Sequence, residues 1–249
     1  MHNYKLVIEY DGTDYFGWQR QKPGSGGKTE RTVQETIERS LKKITGESLR
    51  LAAAGRTDTG VHALGQTANF KTDSAFDINK LRHSLNAVLP ESITIRKLSE
   101  AREDFHARYS AKKKEYIYQI TTCKRSINSA YFLQINYELD FKLMEKALGL
   151  FVGNKSFKSL CKNKTDKHNF HCIISHFSYI HRTKRNEIVF KIIGNRFLHS
   201  MIRALIGCII DIGRGKSTLQ EVKEKFIKGE NIKTAYLPAK GLILKKIYY

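Results

Sequence analysis

The sequence lacks any apolar run as long as a membrane span, and its first ten residues, MHNYKLVIEY, lack the apolar core of a signal peptide. The four cysteines, Cys123, Cys161, Cys172 and Cys208, include no pair with C-x-x-C spacing. In an unexported chain such cysteines are expected to be reduced and mostly buried thiols. These absences argue against a membrane protein and against a disulfide scaffold, and we expect a cytoplasmic protein.

Acidic residues are also scarce, and their shortage is uneven along the chain. The chain has 44 Lys and Arg against 24 Asp and Glu, a net charge of +20, and residues 141–249 hold 22 basic against 7 acidic groups. Proline is rare as well, with three in 249 residues, so the base composition of an AT-rich genome is one explanation of the charge. Because such a bias rarely leaves acids so outnumbered, the charge favours a polyanionic partner, most simply a nucleic acid.

What the chain does contain is an alternation of short strands and amphipathic helices. Over residues 4–98 the apolar periodicity predicts the order β-α-β-β-α-β of a ferredoxin-like fold. Thr32 and Glu35 have capping-box spacing before the first helix, Asp77 is the predicted cap of the second, and Val88 is predicted to face inward. The predicted segments are strands at 4–10, 49–54, 65–72 and 92–98 and helices at 32–46 and 77–90.

A similar order is predicted for the rest of the chain. The segments are strands at 114–121, 172–180, 187–194 and 241–249 and helices at 140–153, 195–213 and 217–229, the last with Ser217 and Gln220 as its capping box. We therefore expect an α+β protein with two ferredoxin-like halves, residues 1–105 and 106–249. Their antiparallel sheets are expected to meet at a basic cleft that binds RNA.

The segment PGSGGKT at residues 23–29 is similar to a phosphate-binding loop, but that pattern requires a glycine where Lys22 stands. The loop also begins well after its strand instead of directly behind it. A glycine-rich loop that folds over RNA with Lys22, Lys28 and Arg31 is the favoured interpretation.

Six possible metal ligands crowd into 21 residues: Cys161, His168, His171, Cys172, His176 and His181. A zinc site needs ligands that face one point. His171 and Cys172 are adjacent, so on a strand they point to opposite faces. We predict no metal site.

The segment AGRTDTGVHALGQ at residues 54–66 places Asp58 two residues from Arg56 in a glycine-rich turn between two predicted strands. The residues alone allow two interpretations. In one, Asp58 forms a structural salt bridge with Arg56. In the other, Arg56 keeps Asp58 ionised, and the carboxylate acts on an electrophilic sugar carbon.

Aromatic and basic residues of the second half also allow two interpretations. Tyr116 and Tyr118 follow a basic run in KKKEYIY and share one face of a strand, so they either belong to the core or provide one ring that stacks on a base. Five basic residues on and after the helix predicted at 195–213 are candidates for an RNA backbone track, although each alone is more often simply solvated: Arg196, His199, Arg203, Arg214 and Lys216.

Several sequence blocks together resemble the TruA-type tRNA pseudouridine synthases. The blocks are YDGTDYFGWQ (10–19), TVQETIE (32–38), AGRTDTGVHALGQ (54–66), FHARYSAKKKEYIY (105–118), GNRFLHSMIRALIG (194–207) with DIGRGK (211–216), and PAKGLIL (238–244). They occur in the order found in that family and cover nearly the whole chain.

The resemblance implies an isomerase that converts uridine to pseudouridine at positions 38, 39 and 40 of the tRNA anticodon arm. It also implies a homodimer that needs no cofactor or metal. By the same resemblance Asp58 is the catalytic aspartate, Arg56 pairs with it and holds the flipped nucleotide, and Tyr116 stacks on the uracil. Leu242 resembles the apolar residue beneath the base. Flipping is needed because the reacting sugar carbon is shielded in a stacked helix.

Three places depart from the family's pattern. Ser156 stands where an acidic residue is usual, Phe170 and His171 stand where an arginine commonly begins a strand, and Lys114 stands where arginine is frequent. These departures leave catalysis intact and concern RNA docking and local packing in the second half.

The main alternative is a non-catalytic RNA-binding protein with the same fold, which binds tRNA but forms no product. A less favoured alternative is a zinc- or nucleotide-dependent enzyme, whose activity depends on its cofactor. Product formation and cofactor dependence therefore separate the three functions.

The basic excess of residues 141–249 predicts an RNA affinity that depends strongly on salt. Each neutralised phosphate releases a counterion, so six or more contacts lower the association constant by roughly a thousandfold or more between 50 and 200 mM salt. Titrations of tRNA at several salt concentrations measure this slope. A nearly flat slope would mean that the charge is a compositional bias and not an RNA-binding surface.

Overall fold

The computed structural model describes residues 1–19, 31–162 and 169–249; the glycine-rich loop with Lys22 and Lys28, and His168, lie outside them. The described chain has an α+β fold whose strands pair mostly in antiparallel fashion, which confirms the predicted class. It divides into two compact units, Met1–Lys112 with Ile243–Tyr249 and Lys113–Leu242. The sequence-based division after residue 105 assigned the last strand to the second half. From Ile243 onward that strand belongs to the first unit, and Ile243 and Leu244 pair with a strand of that unit.

The order of elements over residues 4–98 is the predicted one, β1-α1-β2-β3-α2-β4. The sequence patterns did not predict β6 and β7. Within the described residues the strands are β1 (His2–Tyr10), β2 (Ala52–Ala53), β3 (His62–Thr72), β4 (Ile93–Glu100), β5 (Lys113–Thr121), β6 (Leu133–Gln134), β7 (Gly153–Ser156), β8 (His171–Arg182), β9 (Glu187–Gly194) and β10 (Leu242–Tyr248). The α-helices are α1 (Val33–Thr45), α2 (Ile78–Val88), α3 (Phe141–Leu148), α4 (Met201–Gly213) and α5 (Leu219–Lys228).

In the first unit β1 lies between β3 and β4 and is antiparallel to both, while β3 also pairs with β2 in antiparallel and with β10 in parallel orientation. Tyr4, Leu6 and Ile8 alternate along β1 and are fully buried, as the two-residue period of a strand with one covered face requires. Ile37 and Leu41 of α1 are fully buried at helical spacing. This core supports the loops at the ends of β1 and β3.

Side-chain caps define the starts of both helices in the first unit. The hydroxyl of Thr32 accepts a hydrogen bond from the Glu35 N–H, and the carboxylate of Asp77 accepts one from the Lys80 N–H, which confirms both predicted caps. At the end of α2 the inward position of Val88 was predicted wrongly. Val88 is 39% exposed, because α2 ends there and the next residue turns inward instead.

In the second unit β9 lies between β5 and β8, β8 pairs with β7, and all three pairings are antiparallel, while β6 pairs in parallel with β5. Every residue of α4 except Arg203 is buried, which explains its continuous apolar sequence. None of the helices in the described ranges has the length and apolar character needed to cross a lipid bilayer.

The start of α4 was predicted six residues too early. The side-chain oxygen of Asn195 accepts hydrogen bonds from the N–H groups of Ile173 and Arg196, and Ser200 has a left-handed φ of 56°. These bonds and the conformation of Ser200 are not helical, so the helix begins only at Met201. Arg196 and His199 therefore lie on the loop before α4 and not in its first turns.

The capping box of α5 is shifted by one residue from the predicted one. The Thr218 hydroxyl accepts a hydrogen bond from the Glu221 N–H, and the Glu221 carboxylate accepts one from the Thr218 N–H. The Thr218 backbone bond is the main reason why the pKa of the Glu221 carboxyl lies below its ordinary value.

Thr218→Ala should destabilise the protein by about 0.5–2 kcal/mol, because the first turn of α5 loses its side-chain cap. Ser217→Ala is the matched control, since it removes the neighbouring hydroxyl that the sequence pattern had favoured as the cap. Thermal or denaturant unfolding of both variants measures the difference. A larger loss of stability in Ser217→Ala than in Thr218→Ala would show that Ser217 is the cap, as the sequence pattern predicted.

Candidate active site

The segment between β2 and β3, residues 54–61, forms a turn held by its own backbone and by one side chain of β3. The side-chain amide of Gln66 donates to the Gly55 carbonyl at 2.8 Å. The Val61 N–H donates to the Asp58 carbonyl at 3.2 Å and closes the turn just before β3. These bonds fix both ends of the segment that the sequence analysis singled out.

The side chains of this turn alternate between burial and exposure. Thr57 is buried, Asp58 is half-buried and Arg56 is exposed. The Nε of Arg56 donates to the side-chain oxygen of Gln19 at 3.0 Å. A buried threonine thus separates two charged residues that reach solvent, while the predicted pairing of Arg56 with Asp58 stays a prediction.

Residues 10–19, which we term the cradle segment, contact the buried side of the turn. The Trp18 N–H donates to the Thr57 carbonyl at 3.2 Å, and the Gly60 N–H donates to the Tyr15 carbonyl at 3.3 Å. The hydroxyls of Tyr10 and Thr57 share a hydrogen bond of 2.8 Å. The turn is therefore attached to the cradle segment through backbone and side chain alike.

Two glycines allow the backbones to approach this closely. A Cβ built on Gly12 would lie 2.1 Å from the Val61 carbonyl oxygen, and one built on Gly17 would lie 2.5 Å from that of Thr57. Gly17 also has a φ of +81°, a conformation that disfavours other residues. Any side chain at these two positions would force the turn away from the cradle segment.

His62, the first residue of β3, joins the turn to the start of the cradle segment. Its buried ring accepts a hydrogen bond at Nδ1 from the Gly12 N–H at 3.0 Å. The same nitrogen lies 3.0 Å from a carboxylate oxygen of Asp11. Because the hydrogen bond from Gly12 is made by the residue that follows Val61, it fixes the exit of the turn.

In the second unit the two tyrosines of β5 have different surroundings. Tyr118 is fully buried, and its hydroxyl donates to the Pro238 carbonyl at 2.8 Å, while burial raises its pKa well above the ordinary value. Tyr116 is 7% exposed, and its ring meets that of Phe197 edge-on with centroids 5.4 Å apart. Tyr118 is therefore a core residue, which leaves Tyr116 as the candidate for stacking.

Leu242 also belongs to the second unit and is buried at the start of β10. Its N–H donates to the carbonyl of Ala239, which closes a single 3₁₀ turn at Ala239–Gly241. The segment PAKGLIL thus fixes the backbone of Leu242, and the contact of its side chain with a base stays a prediction.

Three of the basic residues expected to form an RNA backbone track make contacts within the second unit. Arg203 lies on α4, and its Nε donates to the Leu237 carbonyl. Arg214 and Lys216 converge on the carboxylate of Asp211, at 2.9 and 3.8 Å. Asp211 is 3% exposed and also accepts a hydrogen bond from the Thr234 hydroxyl at 3.0 Å.

The predicted separation of the cysteines and histidines on β8 is confirmed by their exposure. Cys172 is buried, and His171 beside it is exposed. His176 and His181 are also exposed. Across the described ranges, no three His, Cys, Asp or Glu side chains converge as metal ligands do.

Sequence reasoning did not single out several residues that contact the candidate residues within each unit. They are Tyr10, Thr57 and Gln66 beneath the turn, Gln19 beside Arg56, and Phe197 against Tyr116. Each lies inside one of the blocks that carried the family resemblance. The blocks marked the right segments, but the roles depend on contacts between residues distant in sequence.

Comparison with known proteins gives a consistent result along the whole chain. A family model described as tRNA pseudouridine synthase matches residues 6–110 and 147–249. Proteins named tRNA pseudouridine synthase A are 40% identical over 262 residues in Thermodesulfovibrio yellowstonii, 38% over 254 in Acetivibrio thermocellus and 40% over 263 in Caldicellulosiruptor saccharolyticus. Each alignment covers 100% of this chain and 100% of the relative.

Asp211→Asn should destabilise the protein by roughly 1–3 kcal/mol, because the buried carboxylate accepts bonds from several partners that an amide satisfies only in part. Asp104→Asn is the matched control, since Asp104 pairs with Arg102 on the surface and such pairs contribute little. Melting temperatures of the two variants measure the contrast. Equal, small changes would show that Asp211 does not hold this cluster.

Proposed function

The chain belongs to the tRNA pseudouridine synthase family, whose members convert uridine to pseudouridine in tRNA, and we propose that Asp58 is the group that performs this reaction. We propose further that its targets are positions 38, 39 and 40 in the anticodon arm. The observation that carries the proposal is the half-buried carboxylate of Asp58, on a turn whose buried side is bonded to the cradle segment.

The reaction exchanges one bond of the ribose for another. The bond from C1′ to N1 of uracil breaks, the base turns over, and a bond from C1′ to C5 forms. The C5 proton leaves and N1 gains a proton, so the isomerisation neither oxidises nor reduces the substrate. Protein side chains are sufficient for such chemistry, and we infer that no cofactor or metal takes part.

Asp58 supplies the negatively charged carboxylate that acts on the ribose when the bond from C1′ to N1 breaks. Its carboxylate either attacks C1′ as a nucleophile or removes the neighbouring C2′ proton. Arg56 is proposed to pair with Asp58 and to hold the flipped nucleotide. The hydrogen bond from Arg56 Nε to Gln19 supports this role. It involves Nε alone, so the two terminal nitrogens of the guanidinium can donate to Asp58 and to the nucleotide.

Tyr116 and Leu242 are proposed to bind the flipped uracil, Tyr116 by stacking and Leu242 by packing beneath the base. The edge-on contact with Phe197 supports the first role, because it restrains the plane of the Tyr116 ring before substrate arrives. The burial of Leu242 and the closed turn before it support the second role.

The strongly basic second half supports binding of the tRNA backbone. Arg196, His199, Arg203, Arg214 and Lys216 are proposed to contribute to it, although Arg203, Arg214 and Lys216 also make contacts within the protein. The proposal keeps the expectation of two ferredoxin-like halves with a basic RNA-binding cleft, of a homodimer and of a cytoplasmic location.

Asp58→Asn should reduce turnover to background, while tRNA affinity stays within a few-fold, because the variant removes the reacting charge and leaves the phosphate contacts intact. Asp58→Glu should fail nearly as badly, since a displacement of about 1 Å costs roughly a hundredfold in a positioned reaction. Tritium release from tRNA labelled at uridine C5 measures turnover, and filter binding measures affinity.

Asp73→Asn is the control, because it removes one exposed carboxylate of the same unit outside the turn. Retained turnover in Asp58→Asn would remove Asp58 from the mechanism. Binding without tritium release by the unaltered protein, with several tRNAs, would instead favour a non-catalytic RNA-binding protein.

A further inference from the structure

Three polar side chains lie buried beneath the turn that carries Asp58. Tyr10, Thr57 and Gln66 have at most 8% exposure. The hydroxyls of Tyr10 and Thr57 are 2.8 Å apart, and the Gln66 amide donates to the Gly55 carbonyl at 2.8 Å. Gln66 also accepts the N–H of Thr67 at 3.1 Å.

Burial of this network has a cost that only complete hydrogen bonding offsets. Two apolar residues of similar size, such as Phe and Val, would fill the places of Tyr10 and Thr57 without that cost. The network also specifies geometry more sharply than apolar packing does, because a hydrogen bond depends on distance and angle. It is therefore better suited to hold the turn in one conformation than to stabilise the core.

The position of Thr57 determines what such a restraint would achieve. Thr57 is the residue between Arg56 and Asp58, and its carbonyl accepts the Trp18 N–H while its hydroxyl meets Tyr10. Because the carbonyl and the hydroxyl of Thr57 are both hydrogen-bonded, the backbone on either side of Thr57 has little freedom to rotate. The Cα atoms of Arg56 and Asp58 are then fixed relative to β1, which carries Tyr10.

We propose that Tyr10, Thr57 and Gln66 form a positioning network that aims the Asp58 carboxylate at the ribose. The proposal rests on the proposed catalytic role of Asp58. None of the three side chains needs to touch substrate, because they act through the backbone of the turn.

Tyr10→Phe should lower kcat by about tenfold to a hundredfold, the size expected when a catalytic group is misplaced by up to 1 Å. Affinity for tRNA should change less than twofold, because no phosphate contact is lost. Thr57→Val should have the same effect, and Thr57→Ser, which keeps the hydroxyl, should restore most of the rate. Tritium release with tRNA in saturating excess over enzyme measures kcat, and filter binding measures affinity.

Tyr4→Phe is the matched control. Tyr4 is a fully buried tyrosine on the same strand, and its hydroxyl accepts the Phe76 N–H at 2.7 Å. It should lose a similar amount of thermal stability while kcat stays unchanged. All rates are compared well below the melting temperature of each variant, so that unfolding does not contribute.

The double variant Tyr10→Phe, Thr57→Val tests whether the two hydroxyls act as a pair. If they do, the double variant loses no more rate than the worse single variant. Additive losses, an unchanged kcat in Tyr10→Phe, or an equal loss in Tyr4→Phe would overturn the proposal. Should Tyr10→Phe fail to fold, the contrast of Thr57→Val with Thr57→Ser decides the question alone.

Failure of this inference is distinguishable from failure of the proposed function. If Asp58→Asn is inactive while Tyr10→Phe and Thr57→Val turn over normally, Asp58 is catalytic and the network has no positioning role. If Asp58→Asn remains active, the catalytic assignment itself is wrong and a network that aims Asp58 has no purpose.

Discussion

The architecture of the first unit depends on the Gly17–Trp18 dipeptide, which is hydrogen-bonded both to the start of α1 and to the turn that carries Asp58. Gly17 and Trp18 offer their carbonyls to the N–H groups of Val33 and Gln34 at 3.2 and 3.0 Å, at the start of α1. The first N–H groups of a helix have no partner within the helix, so these carbonyls satisfy groups that would otherwise need water. The Trp18 N–H points the other way, to Thr57. The Gly17–Trp18 dipeptide therefore fixes the turn that carries Asp58 relative to the start of α1. Gly17 allows the two backbone segments to approach this closely because it has no side chain.

The turn also illustrates how a protein keeps a charged group accessible without leaving it mobile. Asp58 and Arg56 reach solvent, and restraint comes from their uncharged neighbour Thr57, which is bonded on its buried side. Bonding of the adjacent residue holds the backbone of the turn without a bond to the carboxylate of Asp58 being required for it. This arrangement buries polar groups that must all be satisfied.

Much of this fold follows from local sequence patterns, and the errors have physical causes. The predicted helices and strands are present in the predicted order, and the caps at Thr32 and Asp77 were identified correctly. The helix predicted at 140–153 is shorter, because α3 ends at Leu148 and β7 begins at Gly153. The start of α4 was missed because the side chain of Asn195 bonds the backbone of a distant strand. The parallel pairing of β10 with β3, in which Ile243 pairs with His62, joins residues far apart in sequence and has no local signal either. In the site, the motif identified Asp58 as a candidate, but the contact of Tyr10 with Thr57 joins two blocks and is invisible in either one.

Two of the positions that the sequence analysis noted as departures from the family's pattern are neighbours in the sheet of the second unit. Ser156 on β7 and His171 on β8 are direct register partners. A pair of opposite charges at two such positions contributes at most about 1 kcal/mol near solvent. This chain has a hydroxyl and an imidazole there, so little stability depends on these two side chains. Asp58 and the residues that bond its turn belong to the first unit, so neither Ser156 nor His171 is part of that turn.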